Sequence, residues 1–76
     1  MPEVLENIVR RVEEIEESAH CQIDNVRCQI IVSFDKRPDV KVALLTPYAQ
    51  MQVKKGFLDI DVFDDLLHSV KRIANR

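Results

Sequence analysis

The period of the hydrophobic pattern changes twice along this chain, and those changes restrict its folding more than any other feature. From Glu3 to Ala19, the apolar residues Val4, Leu5, Ile8, Val12, Ile15 and Ala19 recur at spacings of three and four, the mark of one helical face. Pro2 suits the opening turn because its nitrogen has no hydrogen to leave unpaired, and Glu3 and Glu6 lie near the positive end of the helix dipole. Glu13, Glu14, Glu16 and Glu17 crowd the other end, where the dipole favours cations. The first helix therefore ends in an electrostatic conflict.

Beyond Ala19 the period falls to two. Val26, Cys28, Ile30, Val32 and Phe34 alternate with Arg27, Gln29, Ile31 and Ser33, which predicts a half-buried strand. Asp35 to Asp39 reads as a polar turn, and Val40, Val42 and Leu44 resume the buried parity. A hairpin with that loop sets Phe34 opposite Val40, Val32 opposite Val42 and Ile30 opposite Leu44. Upstream, a two-residue turn at Asp24-Asn25 pairs Ile23 with Val26 and Cys21 with Cys28. Downstream, a turn at Lys55-Gly56 pairs Val53 with Leu58 and Met51 with Ile60. A rival reading makes residues 47–55 a short helix, with Thr46 as N-cap, Pro47 as first helical residue and Gly56 as stop. Tyr48, Ala49, Met51 and Val53 line no clean helical stripe, so the alternation favours strands there.

The helical period returns at about Asp61 with Val62, Phe63, Leu66, Leu67, Val70, Ile73 and Ala74. Asp61, Asp64 and Asp65 come early and Lys71, Arg72 and Arg76 late, the order the dipole favours. The predicted fold is α+β: an antiparallel β-meander of three to five strands, flanked by an N-terminal and a C-terminal helix packed on one face. Residues 1–76 are expected to form one domain.

Chemistry is sparse. One glycine leaves no loop of the kind that cradles nucleotide phosphates, so no cofactor is expected. His20, Cys21 and Cys28 are the only cluster of metal-ligand types, one short of a structural zinc site and wrongly spaced for a zinc knuckle. The cysteines read instead as reduced, neighbouring core fillers, and neither His20 nor His68 is set beside an activated thiolate. Asp64 and Asp65 are explained by the helix dipole, so no catalytic residue is named and an enzyme is not the expected class. The longest aliphatic run, Val42 to Leu45, is far short of the roughly 20 residues a membrane helix needs. A soluble, cytoplasmic protein is expected.

Two interaction surfaces emerge. One is the acidic group Glu13, Glu14, Glu16 and Glu17, which a basic partner would relieve. The other is the outer parity of the sheet, where Ile31, Ala43 and Leu45 interrupt the expected polar alternation and suit a homodimer contact or another protein partner. A formal net charge of −2 weighs against a duplex-DNA binder, but Arg27, Lys41, Lys54 and Phe57 offer a single-stranded nucleic acid phosphate contacts and one stacking ring. The stretch Lys55-Gly56-Phe57-Leu58, followed by an acid-capped helix bearing Phe63 and Leu66, is faintly similar to the end of the dimeric single-stranded-DNA-binding transcriptional coactivators. That likeness implies nucleic-acid contact, while the long first helix and the acidic balance depart from it, and no family is assigned on it. The leading expectation is a small non-enzymatic binding or regulatory protein acting through protein–protein contacts as a homodimer. The alternatives are a single-stranded nucleic-acid binder on the outer sheet face, and a small enzyme or subunit whose site forms at an oligomer interface.

Overall fold

The computed structural model describes residues 2–76. Its elements run α1 (Pro2–Ile15), β1 (Ala19–Asp24), β2 (Gln29–Phe34), β3 (Arg37–Ala43), α2 (Pro47–Lys54) and α3 (Ile60–Ala74). The three strands form one antiparallel sheet in the order β1-β2-β3, so the chain is an α+β fold. Among the described residues no helix is long and apolar enough to cross a membrane.

The alternation in β2 places the core. Ile30, Val32 and Phe34 are buried, while Gln29, Ile31 and Ser33 on the opposite parity are half-buried. The buried strand residues belong to one cluster with Leu5, Ile8 and Val12 of α1, Ala49 and Val53 of α2, and Phe63, Leu66 and Val70 of α3. Close packing of such side chains is the main favourable term for so small a chain.

The β2–β3 pairing agrees with the predicted register along its middle, where Val32 faces Val42 and the Leu44 N–H donates to the Ile30 carbonyl at 2.8 Å. At its closed end the prediction fails: Phe34 pairs with Arg37, not Val40, and the register shifts between Ser33 and Phe34. Pro38 has no N–H to give to the ladder, and an irregularity in an edge strand accommodates it.

The β1–β2 hairpin is also shifted. Ile23 faces Ile30, Cys21 faces Val32 and Ala19 faces Phe34, so the two cysteines are not opposite one another. The connection spans residues 25–28, and Val26, expected to point inward, is 97% exposed. The Asp24 carboxylate closes this loop by accepting the Arg27 N–H at 3.0 Å and pairing with its guanidinium. The bond from the Arg27 N–H holds the Asp24 carboxyl below the usual carboxylate range. Cys28 then takes the left-handed conformation, φ 52°, a strain that non-glycine residues accept when surrounding contacts compel it. Gln50 supplies such contacts, its amide donating to the Arg27 carbonyl at 2.9 Å and the Cys28 carbonyl at 3.0 Å.

Among the described residues there are no fourth and fifth strands. The expected Met51–Ile60 and Val53–Leu58 pairs are replaced by α2 and a short connection. The rival reading of the caps holds: Thr46 Oγ1 accepts the Ala49 N–H at 3.1 Å, Pro47 opens the helix, and Gly56 has φ 97° just beyond its end. Its inward stripe is Ala49, Gln52 and Val53. That stripe contains a glutamine, so a search for apolar residues misses it.

α1 is shorter than its pattern, since Ala19 opens β1 and Glu16 and Glu17 lie past the helix end. The acidic conflict is partly resolved here. Glu13 Oε2 accepts the Cys21 N–H at 3.0 Å, and Glu16 Oε2 accepts the Ser18 hydroxyl at 2.7 Å. A carboxylate on that amide also blunts the edge of β1 against strand addition.

Candidate functional site

A cleft of about 330 Å³ lies between α1 and the segment that joins α2 to α3. α1 contributes Val4, Asn7, Ile8 and Arg11, spaced by three and four along one helical flank. Gly56, Phe57 and Leu58 form the connecting wall, with Ile60 and Phe63 at the start of α3. Phe63 and Ile8 are buried and act as floor, whereas Phe57 is 45% and Ile60 63% exposed. The guanidinium of Arg11 lies over the Phe63 ring, 5.1 Å from its centroid. A cation over an aromatic face is held by the ring quadrupole, which fixes the charge at the rim of an otherwise carbon-lined cleft.

Gln52 holds the wall in place. Its side chain is 3% exposed, and its amide donates to the Asp59 carboxylate at 2.9 Å while its oxygen accepts the Asp59 N–H at 3.0 Å. Its backbone carbonyl accepts the N–H groups of Lys55 at 2.9 Å and Phe57 at 3.2 Å. The turn past Gly56 is thus tied to α2 at both ends, and the Asp59 carboxylate that could have capped α3 is taken by Gln52 instead. A buried polar group is tolerated when its hydrogen-bonding capacity is used, as it is here.

Of the residues singled out from the sequence, Ile31 and Ala43 are brought opposite one another. Ile31 is half-buried and faces Ala43, which is exposed, but Leu45 is buried at 4% and does not belong to an outer face. The Gln29 amide accounts for this, since it accepts the Leu45 N–H and donates to the Leu45 carbonyl at 2.9 Å, turning the chain inward after β3. Of the acidic group, Glu13 and Glu16 are engaged within the chain while Glu14 and Glu17 are exposed. Arg27 sits in the β1–β2 loop bound to Asp24, Lys41 on β3, Lys54 at the end of α2 and Phe57 in the cleft wall. These four residues lie on four different segments of the chain.

The thiols do not read as nucleophiles. Burial, reinforced by the negative charge of Glu13, pushes the Cys21 thiol up from 9.0 to about 11, and Cys28 is buried with its sulfur 4.0 Å from the Gln50 carbonyl. His20 is paired with Asp35 across the sheet end. Among the described residues, no three His, Cys, Asp or Glu side chains converge as metal ligands. The polar side chains in the described lining of the cleft are those of Asn7 and Arg11.

No protein-family model, curated protein or solved structure matches the chain.

Proposed function

We propose that this protein is a non-enzymatic binding protein that acts through protein–protein contacts, with the cleft between α1 and the start of α3 as its contact surface. In this reading both terminal helices pack on the sheet face that carries Ile30, Val32 and Phe34, and the cleft lies where their N-terminal halves meet the 56–60 segment. The observation that carries it is the exposure of Phe57 and Ile60 beside a cavity floored by Phe63. A small chain that holds two large apolar side chains half in water next to an apolar hollow has the ingredients of an interface centre: aromatic anchor, pocket and an adjacent arginine. The clamp from Gln52 supports this reading, because a wall fixed before contact loses little conformational freedom on binding.

The test is capture of partners from the native cell by the wild-type chain and by Ile60→Glu, followed by reconstitution with the purified partner. The proposal expects a protein retained by wild type and lost by Ile60→Glu, with the purified pair binding in titration calorimetry. Equal retention by both baits refutes the cleft as the contact surface.

A further inference from the structure

We propose that the open edge of β3 takes an extended acidic peptide as an antiparallel fourth strand. This surface is separate from the cleft and goes beyond the reading given above.

The two edges of the sheet are treated differently. At β1 the Ala19 N–H donates to the Glu16 carbonyl and the Cys21 N–H to the Glu13 carboxylate, both at 3.0 Å, so the end of α1 occupies that edge. β3 is the other edge. The bond from the Leu44 N–H to the Ile30 carbonyl and the pairing of Val32 with Val42 set the phase of the β2–β3 ladder. Val42 and Leu44 point their backbone groups at β2, and Lys41 and Ala43 point theirs away from it. Both Lys41 and Ala43 are exposed, and among the described residues neither N–H is bonded to a segment outside the sheet. Val40 and Val42 pack against the core but are only half-buried, whereas Val32 opposite Val42 is fully buried. A strand laid along β3 would take up the free backbone groups and cover both valines.

Charge selects the occupant. Lys36 and Lys41 are exposed, and the Arg37 guanidinium donates to the Ile73 carbonyl at 2.9 Å, where the Arg76 N–H also donates at 3.4 Å. The start of β3 and the end of α3 thus gather cations on a chain whose net charge is −2, and Asp39 is the one acid in residues 36–43. Among the described residues the ion pairs are His20 with Asp35 and Arg27 with Asp24, so these cations are not neutralised within the chain. Antiparallel self-pairing through Lys41 and Ala43 would set Lys41 opposite or diagonal to its own copy, and like charges so placed repel. An acidic strand meets no such repulsion. A residue opposite Lys41 lies on the outer face of the sheet, while its neighbours lie beside Val40 and Val42 on the inner face. The peptide that fits therefore alternates, with glutamate or aspartate opposite Lys41 and an apolar residue on either side. Pro38 has no N–H, and the Gln29 amide already binds the Leu45 N–H and carbonyl, so the free ladder is short and binding in the high micromolar range is expected.

Fluorescence polarisation of a short labelled peptide alternating valine and glutamate tests the inference on the full chain, with circular dichroism confirming that each variant is folded. Saturable binding is expected. Lys41→Glu and Lys36→Glu should each weaken it about fivefold, since an attraction of the size of an exposed ion pair becomes a repulsion. Ile60→Glu, in the cleft, should leave it unchanged. N-methylation of the glutamate amides, which face β3 in the antiparallel pairing, should abolish binding, while N-methylation of the valine amides, which face away, should leave it within about twofold. Amide exchange at Lys41 and Ala43 should slow when peptide is added. No saturable binding at millimolar peptide overturns the inference, as does equal binding of the two N-methylated peptides, which would leave charge attraction without a strand. Equal binding of a peptide with lysine in place of glutamate overturns the acidic partner. A thymidine oligonucleotide held through Lys41 by a chain that ignores the peptide would assign the edge to nucleic acid and overturn the peptide reading.

Discussion

Replacing Gln52 by Leu tests the claim that one buried amide sets the geometry of the cleft wall. Leucine keeps the volume and removes two hydrogen bonds, one to a charged carboxylate and one from a backbone N–H. Such bonds contribute about 1.5–3 and 0.5–1.5 kcal/mol respectively. Asp59 is exposed, so water replaces Gln52 at both of its groups, which places the loss near the lower end, at about 2 kcal/mol. For a domain of this size each kcal/mol corresponds to about 4–8 °C in the melting midpoint, so a fall of about 8–16 °C is expected. Thermal and urea unfolding of Gln52→Leu, Asp59→Ala and the double variant would form a cycle, with a coupling of about 1 kcal/mol between the two sites. Amide exchange at Phe57 and Asp59 should quicken in Gln52→Leu, because the turn they occupy loses its anchor. A midpoint within about 2 °C of wild type, or strict additivity in the cycle, would refute the reasoning.

Two further outcomes follow from the same hydrogen-bond and burial pattern. Cys21, with its thiol pushed up to about 11, is protonated in both folded and unfolded chains below pH 9.0, whereas between pH 9.0 and about 11 the unfolded chain ionises first. Its contribution is therefore full below pH 9.0 and lost as pH rises through that window; urea titrations should show a steeper loss for wild type than for Cys21→Ser, and equal slopes would contradict the assignment. Gln50→Ala removes the amide that donates to both the Arg27 and Cys28 carbonyls, and should raise the rate at which a thiol reagent labels buried Cys28 by about tenfold, two lost hydrogen bonds at about 0.7 kcal/mol each in local opening; an unchanged rate would show that the loop is held by other means.

The parts of the fold that were legible in the sequence are those where one side-chain property decides burial. Val12, Ile30, Val32 and Val70 are apolar, recur with the right period and are fully buried. The middle of the β2–β3 register was also readable, because Val32 opposite Val42 keeps every core position on one face. The readings that failed turn on polar side chains that bind backbone. Asp24 closes the β1–β2 loop through the Arg27 N–H and moves the turn away from Asp24-Asn25, leaving Val26 in water. Gln29 draws Leu45 inward, and Gln52 completes the buried stripe of α2, where an apolar count finds only Ala49 and Val53. Alternation in Gln50 to Lys54 mimicked a strand although Thr46, Pro47 and Gly56 signalled a helix. The cleft itself had no local signature, since Val4 to Arg11 and Gly56 to Phe63 are brought together only by tertiary packing. Phe57 was readable as exposed even on the strand reading, whereas Ile60, which that reading pairs inward with Met51, could be suspected as exposed only on the helix reading of residues 47–55.

The most direct measurement for the cleft as the contact surface compares amide nuclear magnetic resonance spectra of the intact wild-type chain with and without the purified captured partner. The account predicts shifts centred on Val4, Asn7 and Arg11 on α1 and on Phe57 and Ile60 across the cleft, with Ile31 and Ala43 unmoved. Shifts centred on Ile31 and Ala43 with a silent cleft would contradict it.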